Sequence, residues 1–243
     1  HLDEPAPARA VAFADAMAAR RAAGEPLQYV LGRWQFRTLE LLVDRRVLIP
    51  RPETEVVAAV AIEEARRSHR RPPVVVDLGT GSGAIGLAVA VEVPDAQVWA
   101  TDASAEALAV ARANLAGMGS AAATRVRLAE GGWFEALPPA LAGRVSVVVS
   151  NPPYVADGED LPDEVAGWEP GVALRAGPTG LEAVGEIVAG APPWLARPGS
   201  LVLELAPHQA AEAVSLAAEA GFADITVIAD AAGRSRALRA RLR

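Results

Sequence analysis

The chain has 243 residues, of which 51% are hydrophobic, and its 23 basic and 30 acidic residues give a formal net charge of −7. This length suits one large domain, and the negative charge disfavours broad capture of nucleic-acid phosphates. The sequence has no lysine and no cysteine, which excludes lysine Schiff-base chemistry, disulfides and thiolate metal sites. Its three histidines are too scattered to form a ligand cluster, so we expect no metal.

No apolar run reaches the roughly 18 residues of a membrane helix, and no basic-then-apolar leader opens the sequence. We therefore expect a cytoplasmic protein that contacts no membrane.

The first part of the chain predicts a small leading section. Residues 8–23 are rich in alanine and arginine and lack glycine and proline, which favours a helix. Alternating apolar and polar side chains over 34–39 and 41–48 predict a β-hairpin. The proline-containing step at 50–52 then interrupts the strand pattern, and residues 53–67 have helical composition.

From Val74 onward, unbroken apolar runs alternate with helical stretches, which is the pattern of a doubly wound parallel α/β sheet. Residues 155–179 form a connection long enough to suggest a functional lid. The predicted strands are 74–76, 98–100, 126–128, 144–149, 201–205, 225–229 and 235–242, the last of which could be antiparallel. The predicted helices are 84–91, 105–115, 181–195 and 209–220.

A glycine-rich turn follows the first strand of this sheet. Asp77 lies at the strand end, and Gly79, Gly81 and Gly83 fall in the turn that opens the next helix. Glycines let the backbone approach a ligand, and the helix N-terminus offers N–H groups to a pyrophosphate or an amino-acid carboxylate. Because Gly81, Gly83 and Gly86 also match G-x-G-x-x-G, a dinucleotide-binding dehydrogenase is one alternative, and a turn without ligand is another.

Asp102 ends the second strand, about twenty residues beyond the glycines. A carboxylate there can accept hydrogen bonds from two ribose hydroxyls, whether of NAD or of S-adenosylmethionine. Capping of the following helix by Asp102 and Ser104 is the alternative interpretation.

The segment Asn151-Pro152-Pro153-Tyr154 follows the fourth strand, where doubly wound folds bind ligands. The Asn151 side-chain oxygen and the Pro152 carbonyl can accept both N–H bonds of a planar amide or exocyclic amine. They would orient that nitrogen and favour the positive charge that develops as it attacks a methyl donor. Tyr154 would pack against the flat group, and no metal is needed. A simple strand-ending turn is the alternative.

Four stretches of the sequence carry a further signal. They read GEPLQYVLG at 24–32, LIPRPETE at 48–55, DLGTGSGAI at 77–85 and SNPPYV at 150–155. Together they resemble the HemK/PrmC family of enzymes, which methylate the glutamine of the Gly-Gly-Gln tripeptide in class I peptide-chain release factors. The second stretch is the most family-specific, because Asn-Pro-Pro-Tyr alone is shared with enzymes that methylate nucleobase amines.

The resemblance implies a seven-stranded, Rossmann-like class I methyltransferase domain over 53–243, preceded by a β-hairpin linker at 27–52. It also implies that residues 1–26 are the remnant of an N-terminal helical substrate-recognition domain. The cofactor S-adenosylmethionine is then expected against Asp77, Gly79, Thr80, Gly81, Ser82, Gly83, Asp102, Trp133 and Asn151. The substrate glutamine is expected against Asn151, Pro152, Pro153, Tyr154, Arg51 and Glu53, of which Asn151, Pro152 and Tyr154 are the implied catalytic residues.

Alternatives stay open for two of these residues, and three positions depart from the family pattern. Arg51 could form an ion pair with Glu53 or Glu55, and Trp133 could be ordinary core packing. The family usually has Asp, Arg and Gly at the positions of Gly132, Gly171 and Ala206, and Glu130 could supply the carboxylate that is missing at Gly132.

We therefore predict a monomeric methyltransferase that acts on release factors and releases S-adenosylhomocysteine. One alternative is a methyltransferase for an exocyclic amine of a nucleobase in DNA or RNA. The acidic composition disfavours it, although arginines at 66–71 and 234–243 could contact phosphate. A second alternative is a cofactor-binding module without catalysis, which the complete Asn-Pro-Pro-Tyr segment disfavours. A dehydrogenase is disfavoured because no residue is placed for hydride chemistry.

Overall fold

A computed structural model describes residues 7–243, so the first six residues of the predicted 1–26 remnant lie outside the described residues. The helices are α1 (Ala8–Ala22), α2 (Leu27–Leu31), α3 (Thr54–Arg67), α4 (Ala84–Glu92), α5 (Ala105–Gly117), α6 (Ser120–Ala123), α7 (Asp163–Ala166), α8 (Glu182–Gly190) and α9 (Ala210–Glu219). The strands are β1 (Arg33–Phe36), β2 (Leu39–Leu42), β3 (Val74–Leu78), β4 (Gln97–Asp102), β5 (Val126–Glu130), β6 (Val145–Ser150), β7 (Leu195–Glu204), β8 (Ala223–Ala229) and β9 (Ser235–Leu242).

Seven strands form one sheet in the order β5-β4-β3-β6-β7-β9-β8, and β1 and β2 form a separate hairpin. The five strands from β5 to β7 are parallel, whereas β9 is antiparallel to both of its neighbours. This arrangement confirms the predicted doubly wound, seven-stranded α/β sheet and the antiparallel strand at the end of the chain. The chain order reverses beside β3, which has β4 on one side and β6 on the other, so ligands are expected at the carboxyl ends of these strands.

Apolar side chains alternate between the two faces of the sheet and build a core on each. Val75, Val147 and Val149 pack with α3 and α4 on one face, and Val76 and Val148 pack with α8 and α9 on the other. Burial on both faces explains why β3 and β6 consist of unbroken apolar runs.

The leading section differs from its prediction in two places. The predicted helix is confirmed as α1, but residues 27–31 form the unpredicted helix α2, and the hairpin strands end at Leu42 rather than at residue 48. Val43 and Val47 lie beyond the hairpin, where both are buried in one cluster with Val110 of α5. Their alternation therefore reflects packing on the main domain, not strand pairing.

Two of the element boundaries predicted for the main sheet domain were also wrong. The helix predicted over 181–195 ends at Gly190, shortly before Pro192 and Pro193, and the strand predicted from residue 201 begins at Leu195.

The long connection over 155–179 is structured: it contains α7 and a one-pair β-bridge between Val155 and Arg175. The bridge draws its two ends together beside the carboxyl end of β6.

Candidate active site

The glycine-rich turn and the Asn-Pro-Pro-Tyr segment follow adjacent strands. Leu78 at the end of β3 pairs with Ser150 at the end of β6, and the Ser150 hydroxyl donates a hydrogen bond to the Leu78 carbonyl at 2.7 Å. The two segments with the strongest chemical signal therefore lie side by side at one edge of the sheet.

Asp77 organises the glycine-rich turn from within the protein. Its Oδ2 accepts hydrogen bonds from the Thr80 hydroxyl at 2.6 Å and from the Gly86 backbone N–H at 2.8 Å. Its Oδ1 is buried and has no hydrogen-bond partner among the described residues. Burial raises the pKa of Asp77 to about 7, although the hydrogen bonds from Thr80 and Gly86 lower it.

The turn itself has a left-handed backbone, which requires its glycines. The φ angles of Gly79, Gly81 and Gly83 are 66°, 57° and 88°, and Gly83 is the N-terminal cap of α4. Apart from Gly81 and its two chain neighbours, no heavy atom of residues 7–243 lies within 4 Å of the position that a Gly81 Cβ would occupy, so this face of the turn is open. Thr80 and Ser82, between these glycines, are buried.

Asp102, at the end of β4, connects this strand to the glycine-rich turn. Its Oδ2 accepts from the Gly81 backbone N–H at 2.8 Å, and its Oδ1 accepts from the Ser104 N–H at 2.9 Å. Ser104, not Asp102, caps α5, because its hydroxyl accepts from the Ala107 N–H. Burial raises the pKa of Asp102, against the effect of these two hydrogen bonds. Each carboxylate oxygen keeps a lone pair for a ligand.

Trp133 lies against the glycine-rich turn and is half-buried. Its ring atom Cζ3 is 3.5 Å from the position that a Gly79 Cβ would occupy, and its indole N–H donates to Glu186 Oε2 at 2.6 Å. Its backbone φ of 36° is unusual for a residue with a side chain. The ring thus packs against both the apolar core and the turn at Gly79.

The Asn151 amide lies at the end of β6 and is half-buried. Its Nδ2 donates a hydrogen bond to the Thr54 hydroxyl at 3.3 Å, so Oδ1 is the end of the amide that remains available. Pro152 is buried, whereas Pro153 and Tyr154 are half-buried. Burial raises the pKa of the Tyr154 hydroxyl to about 12.

Arg51 and Glu53 both form ion pairs with residues far away in the sequence. The Arg51 guanidinium forms an ion pair with the buried carboxylate of Glu169, in the 155–179 segment, rather than with Glu53 or Glu55. Glu53 accepts a hydrogen bond from Arg234 at 3.0 Å. The ion pair of Arg51 joins the LIPRPETE stretch to the long segment.

Three residues that were not predicted from the sequence are buried next to site residues: Thr54, Glu169 and Glu204. Glu204 ends the apolar strand β7 in the same way that Asp102 ends β4. The rule that ligands bind at the carboxyl ends of strands could therefore have identified Glu204 from the sequence. Glu169 has no such local signal, because its partners Ile49 and Arg51 are far away in sequence.

Comparison with known proteins identifies the family. The sequence model described as "Methyltransferase small domain" matches residues 61–166. The release factor glutamine methyltransferase of Burkholderia pseudomallei (strain K96243) is 44% identical over 243 residues, which are 99% of this chain and 84% of that protein. The chain belongs to the release factor glutamine methyltransferase family.

Solved structures show that this family shares its fold with other methyltransferases. A ribosomal protein L11 methylase from Lactobacillus delbrueckii subsp. bulgaricus has a TM-score of 0.54 at 20% identity, covering 80% of each chain. A T. thermophilus 16S rRNA N2 G1207 methyltransferase, in complex with AdoMet and guanosine, has a TM-score of 0.58 at 19% identity, covering 87% of this chain and 50% of that one. These similarities support the fold alone.

Within residues 7–243, no helix combines the length and the apolar character needed to cross a membrane. Among the same residues, no group of three or more His, Asp or Glu side chains is arranged to hold a metal ion.

Proposed function

We propose that this protein transfers a methyl group from S-adenosylmethionine to the side-chain amide nitrogen of the glutamine in the Gly-Gly-Gln motif of class I peptide-chain release factors. The other product is S-adenosylhomocysteine. One observation supports this function above the others: the glycine-rich turn and the Asn151 amide lie at the ends of adjacent strands in a member of the release factor glutamine methyltransferase family. We further propose that the reaction takes place in the cytoplasm and that one chain is the active unit, because all the residues invoked belong to a single chain.

The residues around the turn fit S-adenosylmethionine. The carboxylate of Asp102 suits the ribose hydroxyls, and the open face of Gly81 allows close approach of the ligand. We assign the buried Asp77 carboxyl, whose Oδ1 has no hydrogen-bond partner among the described residues, to the methionine part. We assign Trp133 to the adenine region, and Gly79, Thr80, Ser82 and Gly83 to the wall of the turn.

When bound, the cofactor supplies a sulfonium methyl group that is open to nucleophilic attack. The task of the protein is to present a poor nucleophile, since the amide lone pair of glutamine is delocalised. We propose that Asn151 Oδ1 and the Pro152 carbonyl accept the two N–H bonds of the substrate amide. These acceptors orient the nitrogen and stabilise the positive charge that develops on it, and the methylated nitrogen then releases one of its two protons to water.

The remaining site residues surround that amide. We propose that Tyr154 and Pro153 pack against the flat substrate group. Arg51 and Glu53 would act on the substrate side through the segments that they hold, because both already form ion pairs with other parts of the chain.

A methyl-transfer assay tests this function. The protein and labelled S-adenosylmethionine are incubated with three substrates in separate reactions. The substrates are an intact class I release factor, the same factor with the Gly-Gly-Gln glutamine changed to alanine, and a mixture of tRNA, rRNA and DNA. We expect label only on the intact release factor. Label on nucleic acid, or no label although the cofactor binds, would contradict the proposal.

A further inference from the structure

Gln209 has a buried side-chain amide that contacts both ends of the long connection over 155–179. It lies in the short turn Pro207–Gln209, between β7 and α9, and is 3% exposed. Its Nε2 donates hydrogen bonds to the Tyr154 carbonyl at 2.9 Å and to the Gly180 carbonyl at 3.0 Å. Its Oε1 accepts from the Ala206 backbone N–H at 3.2 Å. One side chain thus joins the residue before the 155–179 segment to the residue after it.

The three partners of Gln209 fix the orientation of its amide. A carbonyl oxygen can only accept a hydrogen bond, and a backbone N–H can only donate one. Turning the amide over would place Oε1 against two carbonyl oxygens and the NH₂ group against an N–H, so all three hydrogen bonds would be lost. In the observed orientation both hydrogens of Nε2 are used. The side chain therefore has one favourable orientation, in which it binds both ends of the segment.

Tyr154 depends on contacts from outside its own stretch of chain. The two prolines that precede it have no backbone N–H, so they cannot donate to a neighbouring strand. The next residue, Val155, donates to the Leu174 carbonyl at 2.9 Å and accepts from the Ala176 N–H at 3.0 Å. Those bonds connect the segment to itself. The bond from Gln209, in contrast, attaches the Tyr154 backbone to the turn that follows β7 of the main sheet.

Gly180 approaches the Gln209 amide closely because it has no side chain. A Cβ added at Gly180 would lie 3.0 Å from Gln209 Nε2 and 3.0 Å from the Ala156 backbone nitrogen, which is closer than ordinary van der Waals contact. The backbone at both ends of the segment is thus packed directly on this amide.

We propose that Gln209 is a positioning residue that fixes Tyr154 beside the substrate amide, because it holds both ends of the 155–179 segment on the turn after β7. This inference rests on the proposed function, which places Tyr154 against the flat substrate group. Gln209 acts through Tyr154, since both hydrogens of its own NH₂ group are bound by the protein. Without these bonds Tyr154 shifts, and the substrate nitrogen is misaligned for attack.

The first test is Gln209→Met, which keeps the length of the side chain but removes its hydrogen bonds. We expect kcat for release-factor methylation to fall about 10- to 100-fold, because a displacement of about 1 Å can cost that much. The dissociation constant for S-adenosylmethionine should stay close to the wild-type value, since the residues assigned to the turn and the ribose follow β3 and β4. Wild-type kcat in Gln209→Met would overturn the positioning role.

A second variant, Gln209→Glu, separates hydrogen bonding from shape. It keeps the size of the side chain and an oxygen that can accept from the Ala206 N–H. A carboxylate donates neither of the bonds to Tyr154 and Gly180, and a neutral carboxyl donates only one. We therefore expect kcat to fall in this variant also, with cofactor binding unchanged. A Gln209→Glu protein with wild-type kcat would show that the two donated bonds do not position Tyr154.

Ser146→Ala is the matched control, because it removes a buried polar group at the opposite end of β6 from the site. The Ser146 hydroxyl accepts from the Ser68 hydroxyl at 2.9 Å and from the Val74 N–H at 3.3 Å. We expect this variant to lose stability but to keep kcat. If Ser146→Ala and Gln209→Met lose kcat equally, the effect is a general loss of stability and the positioning role is wrong.

Hydrogen–deuterium exchange provides a measurement that does not depend on activity. The backbone N–H groups of Val155, Asp157 and Ala176 are hydrogen-bonded within the segment, so their protection reports whether it stays closed. We expect faster exchange over residues 155–177 in Gln209→Met, with unchanged exchange in β3, and no such change in Ser146→Ala. Thermal unfolding shows that each variant is folded.

The exchange measurement also distinguishes the two proposals. Unchanged exchange over 155–177 in folded Gln209→Met would overturn the role of Gln209, whatever the activity of the wild type. A wild-type protein inactive on release factors would instead overturn the proposed function, while exchange would still test whether Gln209 holds the segment.

Discussion

The carboxylate of Asp102 has two tasks at the scale of a single residue: it orders the Gly81 backbone and, in the proposed function, it binds the ribose. Asp102→Ala removes both. We expect the dissociation constant for S-adenosylmethionine to rise at least about tenfold, because hydrogen bonds to charged groups contribute about 1.5–3 kcal/mol each. Isothermal titration calorimetry measures this change.

The matched control for Asp102→Ala is Asp95→Ala, which removes an exposed carboxylate. It should leave cofactor binding unchanged. If Asp102→Ala binds the cofactor as tightly as the control does, Asp102 has been assigned wrongly.

Single residues also show what the sequence could and could not predict. Asp77, Asp102 and Asn151 each follow an apolar strand run, and the rule that ligands bind at the carboxyl ends of strands predicted that they would lie together. The hydrogen bond between Asn151 and Thr54 was not predictable, since it joins residues 97 positions apart. No periodicity in the sequence specifies the position of α3 relative to β6.

At the scale of elements, Gly180 directly follows the 155–179 segment and lies close to Tyr154, which directly precedes that segment. Gly180 has a φ of 77°, and an added Cβ would lie 2.6 Å from the Tyr154 carbonyl oxygen. We expect Gly180→Ala to displace Tyr154, to lower the unfolding free energy by about 1–3 kcal/mol and to reduce methyl transfer. Denaturant unfolding and the transfer assay measure the two effects.

Gly185 provides a matched substitution in the neighbouring helix α8. Apart from its chain neighbours and the nearby backbone of α8, no heavy atom in the described part of the chain lies within 4 Å of its Cβ position. Its interior helical position favours alanine by about 0.5–1 kcal/mol. We expect Gly185→Ala to keep full activity with equal or greater stability. Equal behaviour of Gly180→Ala and Gly185→Ala would show that the contact with Tyr154 is unimportant.

The same segment shows where prediction by element fails. Its length indicated a functional lid, but its attachment through Glu169 to Arg51 and to the backbone N–H of Ile49 depends on contacts between distant parts of the chain. The alternation over 41–48 likewise matched a strand, yet Val43 and Val47 are buried by packing on α5. Periodicity records which side chains are buried, not which element buries them.

At the scale of the whole molecule, the buried carboxyl of Glu204 makes stability depend on pH. Its pKa is about 7 in the folded protein and is raised from an ordinary value of 4.5. Between these values the folded state binds a proton that the unfolded state does not, so the unfolding free energy falls as the pH rises. Glu204→Gln removes this dependence.

We therefore expect Glu204→Gln to gain stability relative to the wild type between pH 5 and pH 8, by roughly 2 kcal/mol in total. Urea unfolding at several pH values measures the difference. Asp77 titrates in both proteins and cancels in the comparison. Glu212→Gln, which changes an exposed carboxylate on α9, should show no such gain, and a constant difference across this range would contradict the assignment for Glu204.

The topology of the whole molecule was the most predictable feature. Strands buried on both faces are continuous apolar runs, and their alternation with helices leaves few arrangements other than a doubly wound sheet. The boundaries of the expected recognition remnant, the hairpin linker and the methyltransferase domain remain predictions. The substrate depends on residues at strand ends and on family membership, because proteins with the same fold act on different substrates.

The most direct test of the account is to locate the methyl group after the reaction. A class I release factor is incubated with S-adenosylmethionine and either the wild-type protein or Asn151→Ala, and the peptide that contains Gly-Gly-Gln is fragmented by mass spectrometry. We expect one added methyl on the glutamine side chain with the wild type. With Asn151→Ala we expect at least about a 100-fold lower rate and nearly unchanged cofactor binding. A methyl group elsewhere, or near-normal activity of Asn151→Ala, would contradict the account.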